Sequence, residues 1–183
     1  MKRPLTKKKL FAYTFLSAVA GFLALFYIDR PSRVVQLSDE VSISSQLKVS
    51  DIGRFRLSEF KTIVDIRPDG EAIGQPSSEE MREAAERFNV DFYYIPVPHE
   101  GGSESAVTRL ADVLATAPKP ALLYCRTGRR AVRLFALAEA ARIGGPNVDT
   151  ILRMVVQAGF SAADLKDAIK ARITLRTRKP AEK

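Results

Sequence analysis

The chain has very few residues that could form covalent or metal-bound cross-links, with one cysteine and one histidine among 183 residues. A single thiol cannot form an internal disulfide, so cysteine usage does not indicate a redox compartment. No cluster of cysteine and histidine side chains is present, which argues against a protein-bound metal. We find no internal repeat, and we expect neither a metal nor an organic cofactor.

The net positive charge of the chain comes from its two ends. The formal net charge is +8, yet residues 1–9 carry five Lys/Arg and no acid, and residues 170–183 carry six Lys/Arg and one Glu. Residues 10–169 therefore hold 18 basic and 20 acidic side chains, a net of −2. A near-neutral body argues against a nucleic-acid partner. The hydrophobic fraction of 46% is typical of one folded domain with a substantial core.

One long hydrophobic run predicts a membrane anchor. Residues 10–28 (LFAYTFLSAVAGFLALFYI) are 19 residues without a charge, and a helix of that length spans about 30 Å of hydrocarbon. Cleavage after Ala20 would leave GFLALFYI as a mature N-terminus, so we favour an uncleaved signal anchor in contact with the lipid bilayer. The basic residues 1–9 should stay cytoplasmic, which predicts a single-pass protein of the bacterial inner membrane with a periplasmic domain.

The remaining chain alternates between predicted strands and helices. We assign residues 29–40 to a linker, 41–170 to the folded domain and 171–183 to a solvated basic tail. The predicted strands are 41–47 (an edge strand), 61–66, 91–97 and 121–125. The predicted helices run from Ser77 or Ser78 through Asn89, from 103 to 117, from 130 to 142, from 148 to Gly159 and onward from Ser161, with a short helix or turn at 50–60. This order predicts an α/β fold, a mainly parallel sheet flanked by helices.

The stretch ALLYCRTGRR, residues 121–130, contains the single cysteine at the end of an apolar strand. Ligands of open α/β sheets bind beyond the carboxyl ends of strands, where loops lead into helices. Gly128 lets the backbone curl so that successive N–H groups point inward, and the following helix adds its positive end. The nearby arginines are Arg126, Arg129, Arg130 and Arg133. A lone buried cysteine is often a small hydrophobe, but these neighbours favour a thiolate nucleophile at Cys125 in an anion-binding loop.

Three separated motifs resemble one bacterial family. CRTGRR, the upstream FKTIVDIRPDGEAIGQPSSEEM and FYYIPVP are similar to the phosphatase-like domain of beta-lactamase hydrolase-like proteins, the DUF442 group, also considered sulfur transferases. The resemblance covers residues 41–140. It implies a fold like that of the cysteine-dependent dual-specificity phosphatases and a functional overlap with rhodanese-type sulfur carriers.

The number of residues between the cysteine and the arginine distinguishes phosphatases from sulfur carriers, although both use a thiolate surrounded by backbone amides. Phosphatases of this kind have five residues between Cys and Arg, which here places Ala131 at the arginine position. Arg130 follows Cys125 after only four residues, which resembles rhodanese loops, and a tighter nest suits a persulfide sulfur. A hydroxyl residue often follows the arginine in both phosphatases and this family, so Ala131 departs from the pattern and puts catalytic competence in question.

A phosphatase also needs a general acid to protonate its leaving group. The candidates are Asp69 and Glu71 in one loop and His99 and Glu100 in another, and of these Asp69 is the predicted catalytic acid. Asp69-Gly70 is also an ordinary turn sequence, and a single loop histidine is often only a surface residue. Asp65 is unusual in an apolar strand, where the family commonly has Asn, and we expect it to hydrogen-bond the following turn or to pair with Arg67.

The sequence thus supports three functional hypotheses. The first is a membrane-anchored enzyme that carries sulfane sulfur as a persulfide on Cys125, with Arg130 and the backbone of Arg126, Thr127, Gly128 and Arg129 holding the anion. The second is a phosphatase-like hydrolase that forms a phosphocysteine on the same residue. The third is a catalytically silent anion-binding module. The predicted partners are a small sulfur donor and acceptor or a phosphoester, and the sequence leaves the substrate and the oligomeric state open.

Overall fold

The computed structural model describes residues 33–57, 60–99 and 101–178. Its strands are β1 (Val34–Gln36), β2 (Val41–Ser44), β3 (Thr62–Asp65), β4 (Asp91–Tyr94) and β5 (Ala121–Tyr124). Its helices are α1 (Asp51–Leu57), α2 (Ser78–Arg87), α3 (Glu104–Thr116), α4 (Arg129–Ala141), α5 (Val148–Gln157) and α6 (Lys166–Arg178), with a 3₁₀ turn at Ala163–Leu165. The predicted α/β architecture is confirmed.

The sheet has the strand order β1-β2-β5-β3-β4, with β5 in the middle. All neighbouring pairs are parallel except β1 and β2, which are antiparallel. Two predictions need correction here. The segment 29–40, predicted as a linker, contains β1, and β2 is therefore an interior strand whose four residues are all buried. The segment VSISSQL alternates apolar and polar residues, which is typical of an edge strand. Here the polar positions are serines that face one side of the sheet while the apolar residues face the other.

Local side-chain chemistry starts the helices where the sequence predicts. At the start of α2, Ser77 Oγ accepts from the Glu80 backbone N–H while the Glu80 carboxylate accepts from the Ser77 N–H, a complete capping box. Ser103 and Asn147 cap α3 and α5 in the same way, each through its side-chain oxygen. Helix α4 differs, because its N-cap is Gly128, which has no side chain to satisfy the first N–H groups.

Two hydrophobic clusters cover the two faces of the sheet. Alternate residues of each strand face opposite layers. Ile43, Val64 and Leu123 pack with apolar residues of α3, α4, α5 and α6. Ile63 and Leu122 pack on the other face with residues of α1 and α2. Because the middle strand β5 is buried on both sides, the loop that follows it starts from a fixed position.

The last helix extends beyond the predicted domain boundary at residue 170. Helix α6 continues to Arg178, within the segment 171–183 predicted as a solvated tail. The Arg176 guanidinium donates to the carbonyls of Glu139, Ala140 and Arg142 at the end of α4. It also donates to the carbonyls of Gly145 and Pro146 in the next turn. A cation that satisfies carbonyls at a helix C-terminus stabilises that end, so this basic residue belongs to the folded domain.

Replacement of Arg176 by alanine should lower the free energy of unfolding by about 2 kcal/mol or more, because five carbonyl groups lose a charged donor. Arg176→Lys should recover only part of that loss, since one ammonium group cannot reach both sets of carbonyls. Urea denaturation measures both effects. Arg153→Ala, an exposed arginine on α5, is the control and should change stability by less than about 0.5 kcal/mol. Equal effects of the two alanine variants would contradict this role of Arg176.

The predicted anchor at residues 10–28 lies outside the described residues and stays a prediction. In the part of the chain that the structure describes, no helix is both long enough and apolar enough to cross a bilayer.

Candidate functional site

Polar residues form a row across the carboxyl ends of the four parallel strands. Ser44, Tyr124, Asp65 and Tyr94 are the last residues of β2, β5, β3 and β4, and they pair with one another in register. The first three are almost fully buried, and among the described residues the hydroxyls of Ser44 and Tyr124 have no hydrogen-bond partner of ordinary geometry. The site is built where this row ends and the loops begin.

Cys125 follows this row directly and opens the loop into helix α4. Its side chain is buried, with 1% of its surface exposed. Gly128 adopts a left-handed conformation with φ of 87°, which turns the loop into the helix. Within the described residues, no protein group accepts a hydrogen bond from the backbone N–H groups of residues 126–131. These amides at a helix N-terminus form a nest suited to an oxyanion.

Arg130 is held by Glu71 rather than left free in the loop. Its two terminal nitrogens donate to the two Glu71 carboxylate oxygens, at 2.5 Å for Nη1 to Oε1 and 2.7 Å for Nη2 to Oε2. Nη1 also donates to the Val97 carbonyl at 2.7 Å. The guanidinium is close enough to Cys125 to interact with it electrostatically. Arg130 therefore links the cysteine loop to the loops that follow β3 and β4.

Glu71 is the centre of this ion-pair network. Arg67 Nε donates to Glu71 Oε2 at 2.9 Å, and Arg67 Nη1 donates to the Gln46 side chain. The Arg130 hydrogen bonds, together with those of Arg67, lower the pKa of Glu71 to about 2. Glu71 is thus ionised near neutral pH and has no proton to give to a leaving group.

The predicted acid Asp69 is also held by hydrogen bonds. Its carboxylate accepts from the Ser78 backbone N–H at 2.8 Å and from the Ser78 hydroxyl at 2.6 Å, which ties it to the start of α2. Asp69 is not among the residues that line the cleft beside the cysteine loop. Its catalytic role stays a prediction that these contacts do not favour.

His99 is the candidate acid that does line the cleft. Its side chain is 65% exposed, and Nε2 lies 3.8 Å from Glu71 Oε1. The neighbouring candidate Glu100 lies outside the described residues. The loop after β4 thus brings one titratable group, His99, beside the Arg130 and Glu71 pair.

Asp65 lies beneath the site and supports the loop after β3. Its Oδ1 accepts from the Arg67 backbone N–H at 2.8 Å, as the sequence predicts for this residue. Burial raises the pKa of Asp65 to about 6, although the nearby Tyr124 hydroxyl and the Arg67 N–H act in the opposite direction. Folding therefore opposes the ionised form of this carboxyl group.

Replacement of Asp65 by asparagine should stabilise the protein above pH 6. The folded-state pKa lies about two units above the unfolded value, so the Asp65 contribution to stability falls as pH rises from about 4 to about 6. The penalty above that range is about 3 kcal/mol at most, and asparagine retains the acceptor for the Arg67 N–H. Thermal or urea unfolding of both proteins between pH 3.5 and 8 measures the difference. A difference that is independent of pH, or larger at low pH, would contradict this account.

A cleft of about 780 Å³ opens beside the cysteine loop. Four arginines line it: Arg126, Arg129, Arg130 and Arg133. The single carboxylate in the described lining is Asp164, which forms a two-point ion pair with Arg133 at 2.7 and 2.8 Å. The Arg133 hydrogen bonds lower the pKa of Asp164, and the charge of Arg129 adds to that effect. The cleft is thus electropositive and suited to an anion.

The sequence predicts a site formed by the cysteine, the glycine and the arginines. In the structure the arginines and Thr127 line the cleft, whereas Cys125 is buried at the start of the loop and neither Cys125 nor Gly128 is part of the described lining. Sequence reasoning did not foresee that Glu71 binds Arg130 or that Asp164 binds Arg133, since these partners lie 59 and 31 residues apart along the chain. Within the described part of the chain, no cluster of three or more metal-ligating side chains is found. The geometry assembled here can bind an oxyanion next to a buried sulfur.

A mainly parallel sheet whose middle strand ends in a cysteine loop and a helix fits a phosphatase-like α/β domain. The chain belongs to the family "Beta-lactamase hydrolase-like protein, phosphatase-like domain", which matches residues 33–142. The resemblance found in the sequence is therefore confirmed.

Known proteins of this family and fold are similar over different lengths. A beta-lactamase hydrolase-like protein of Agrobacterium fabrum is 31% identical over 108 residues, which is 59% of this chain. The match covers only 25% of that protein, so this chain corresponds to about a quarter of the curated relative. A candidate phosphatase from Neisseria meningitidis is 29% identical, with a TM-score of 0.64 over 75% of this chain and 96% of that one. The catalytic domain of the PP-IP phosphatase SIW14 from S. cerevisiae, at 16% identity and a TM-score of 0.55, covers 84% of this chain and 98% of its own and shares the fold.

Proposed function

We propose that this protein is a cysteine-dependent phosphoester hydrolase. The observation that carries the proposal is that Cys125 begins a loop whose backbone amides have no protein hydrogen-bond partner among the described residues and which leads into helix α4. The family, with its phosphatase-like domain, and the cysteine-dependent phosphatase fold of the structural neighbours favour phosphate over sulfur as the transferred group.

In the proposed reaction the Cys125 thiolate attacks the phosphorus of a bound phosphomonoester. A phosphorus–sulfur bond forms as the phosphorus–oxygen bond breaks, and the leaving alcohol takes up a proton. Water then attacks the phosphocysteine, which releases phosphate and restores the thiol. The amides of residues 126–131 hold the equatorial oxygens in both steps, and Glu71 fixes the orientation of Arg130 at the edge of the nest.

Among the described residues, the site has no strong general acid to protonate the leaving alcohol. Glu71 is ionised, and Asp69 is bound to Ser78. His99 is the candidate acid that lines the described cleft, with Nε2 at 3.8 Å from Glu71 Oε1, and we assign it the role of proton donor. An exposed donor of this kind is inefficient, so the rate should depend steeply on the acidity of the leaving group.

A series of aryl phosphates with leaving phenols of graded pKa tests this proposal. We expect phosphate release by the full chain, faster for more acidic phenols, and a His99→Gln variant that loses more rate on poor leaving groups than on good ones. Arg153→Gln, at an exposed position on α5 that does not line the cleft, serves as the control. If no phosphate is released from any substrate by folded protein, the proposed function is wrong.

Sulfur transfer is the second candidate, and the spacing of four residues between Cys125 and Arg130 favours it. In that reaction the thiolate attacks the outer sulfur of thiosulfate, a persulfide forms and sulfite leaves without a proton donor. The lack of a well-placed acid is therefore no obstacle. Release of sulfite from thiosulfate, lost in a Cys125→Ser variant, would support this function, and its absence alongside phosphate release would exclude it.

We also propose that residues 10–28 anchor the domain in the inner membrane with its catalytic face in the periplasm. The support is the uncharged 19-residue run after a basic N-terminus. Reporter fusions at the C-terminus test it: activity of a periplasm-dependent reporter is expected, and strong activity of a cytoplasm-dependent reporter would overturn the orientation.

A further inference from the structure

Among the described residues, two of the four arginines that line the cleft have no side-chain partner in the protein. Arg130 is bound by Glu71 and Val97, and Arg133 is bound by Asp164. Arg126 and Arg129 line the same cleft and are exposed, and within the described residues neither forms an ion pair or a side-chain hydrogen bond. Two guanidinium groups thus face the cleft with no carboxylate bound to them.

The reacting anion does not account for these two side chains. A single phosphoryl group at Cys125 can be bound by the six amides of residues 126–131, which are enough to give each of its three terminal oxygens two donors. The cleft, at about 780 Å³, is far larger than such a group needs, since pockets of roughly 300–1,000 Å³ hold whole organic ligands. The cleft therefore has space beside the amide nest for a second anionic group, and Arg126 and Arg129 supply positive charge there.

We propose that Arg126 and Arg129 form a second anion subsite, so that the preferred ligand carries two or more phosphate-type groups. One group lies in the amide nest at Cys125, and a second is bound by the two guanidinium groups, which suit bidentate recognition of phosphate oxygens. The inference rests on the proposed hydrolase function for the position of the reacting group. It names the substrate class as small polyphosphorylated compounds rather than simple monoesters.

Calorimetric titration of a full-length Cys125→Ser variant with orthophosphate and with tripolyphosphate tests this subsite without turnover. Tripolyphosphate should bind at least about tenfold more tightly than orthophosphate. Adding Arg126→Gln or Arg129→Gln should weaken tripolyphosphate binding about tenfold and orthophosphate binding by clearly less. Arg153→Gln removes the same charge at an exposed position that does not line the cleft and should weaken both by less than about twofold.

The result that would overturn the inference is a loss of tripolyphosphate affinity in the Arg126 and Arg129 variants no larger than in the Arg153 variant. Equal loss for orthophosphate and tripolyphosphate would also overturn it, because the arginines would then belong to the nest itself. Failure of the proposed function is a separate result. A wild-type protein that releases no phosphate, yet discriminates between the two anions through Arg126 and Arg129, retains the subsite and loses the hydrolase.

Discussion

A Cys125→Ser variant is expected to lose phosphate release by at least about a thousandfold, because a serine hydroxyl has no adjacent base to activate it as a nucleophile here. The Arg130 guanidinium interacts with Cys125, and it is a cation that cannot accept the serine proton. The measurement is steady-state phosphate release from an aryl phosphate at saturating substrate.

The same variant should remain folded and should still bind phosphate. Oxygen for sulfur is a small change at a side chain with 1% exposure, and the amides of residues 126–131 are untouched. The free energy of unfolding, measured in urea, should therefore change by less than about 1.5 kcal/mol. Phosphate release close to that of the wild type by a folded Cys125→Ser protein would show that another residue is the nucleophile.

Replacement of Gly128 by alanine is expected to have the second largest effect. The residue has φ of 87°, and a Cβ there would lie 3.0 Å from both Ile43 Cγ2 and Phe160 Cζ. The left-handed backbone costs about 1–2 kcal/mol for a residue with a side chain, and the crowding adds about 1–3 kcal/mol. Displacement of the amides should lower phosphate release by about a hundredfold.

Gly144→Ala is the matched control for this substitution. Gly144 also has a positive φ, of 72°, but nothing lies within 4 Å of the position of its Cβ. Its variant should lose only the backbone contribution, about 1–2 kcal/mol, and should retain phosphate release. If the two alanine variants are equally stable and equally active, the crowding at Gly128 has no role in the loop.

Local patterns explain most of what the sequence predicted correctly. Ser77 with Glu80, Ser103 and Asn147 satisfy free N–H groups within three residues of themselves, so the starts of α2, α3 and α5 depend on nearby sequence alone. The position of Cys125 follows from a fully apolar strand that ends in a glycine-containing loop. These features do not depend on how the helices and strands pack.

The failures concern partners that only the folded chain brings together. The pairing of β1 with β2 depends on an antiparallel turn in a polar segment, and without it β2 was predicted to be an edge. Glu71 and Asp69 are two residues apart in the sequence, yet one binds Arg130 and the other binds the start of α2. Which acid approaches the cleft is decided by the path of the loop after β3, which no local pattern specifies.

The central claim, that Cys125 is the nucleophile toward phosphorus, is tested most directly by the mass of the Cys125 peptide. The full chain is mixed with an aryl phosphate and quenched within the first turnover, and a second sample is incubated with thiosulfate. The account predicts a gain of about 80 Da, one phosphoryl group, in the first sample. An unmodified peptide there, with a gain of about 32 Da from one sulfur atom in the second, would contradict it and establish Cys125 as a sulfur carrier.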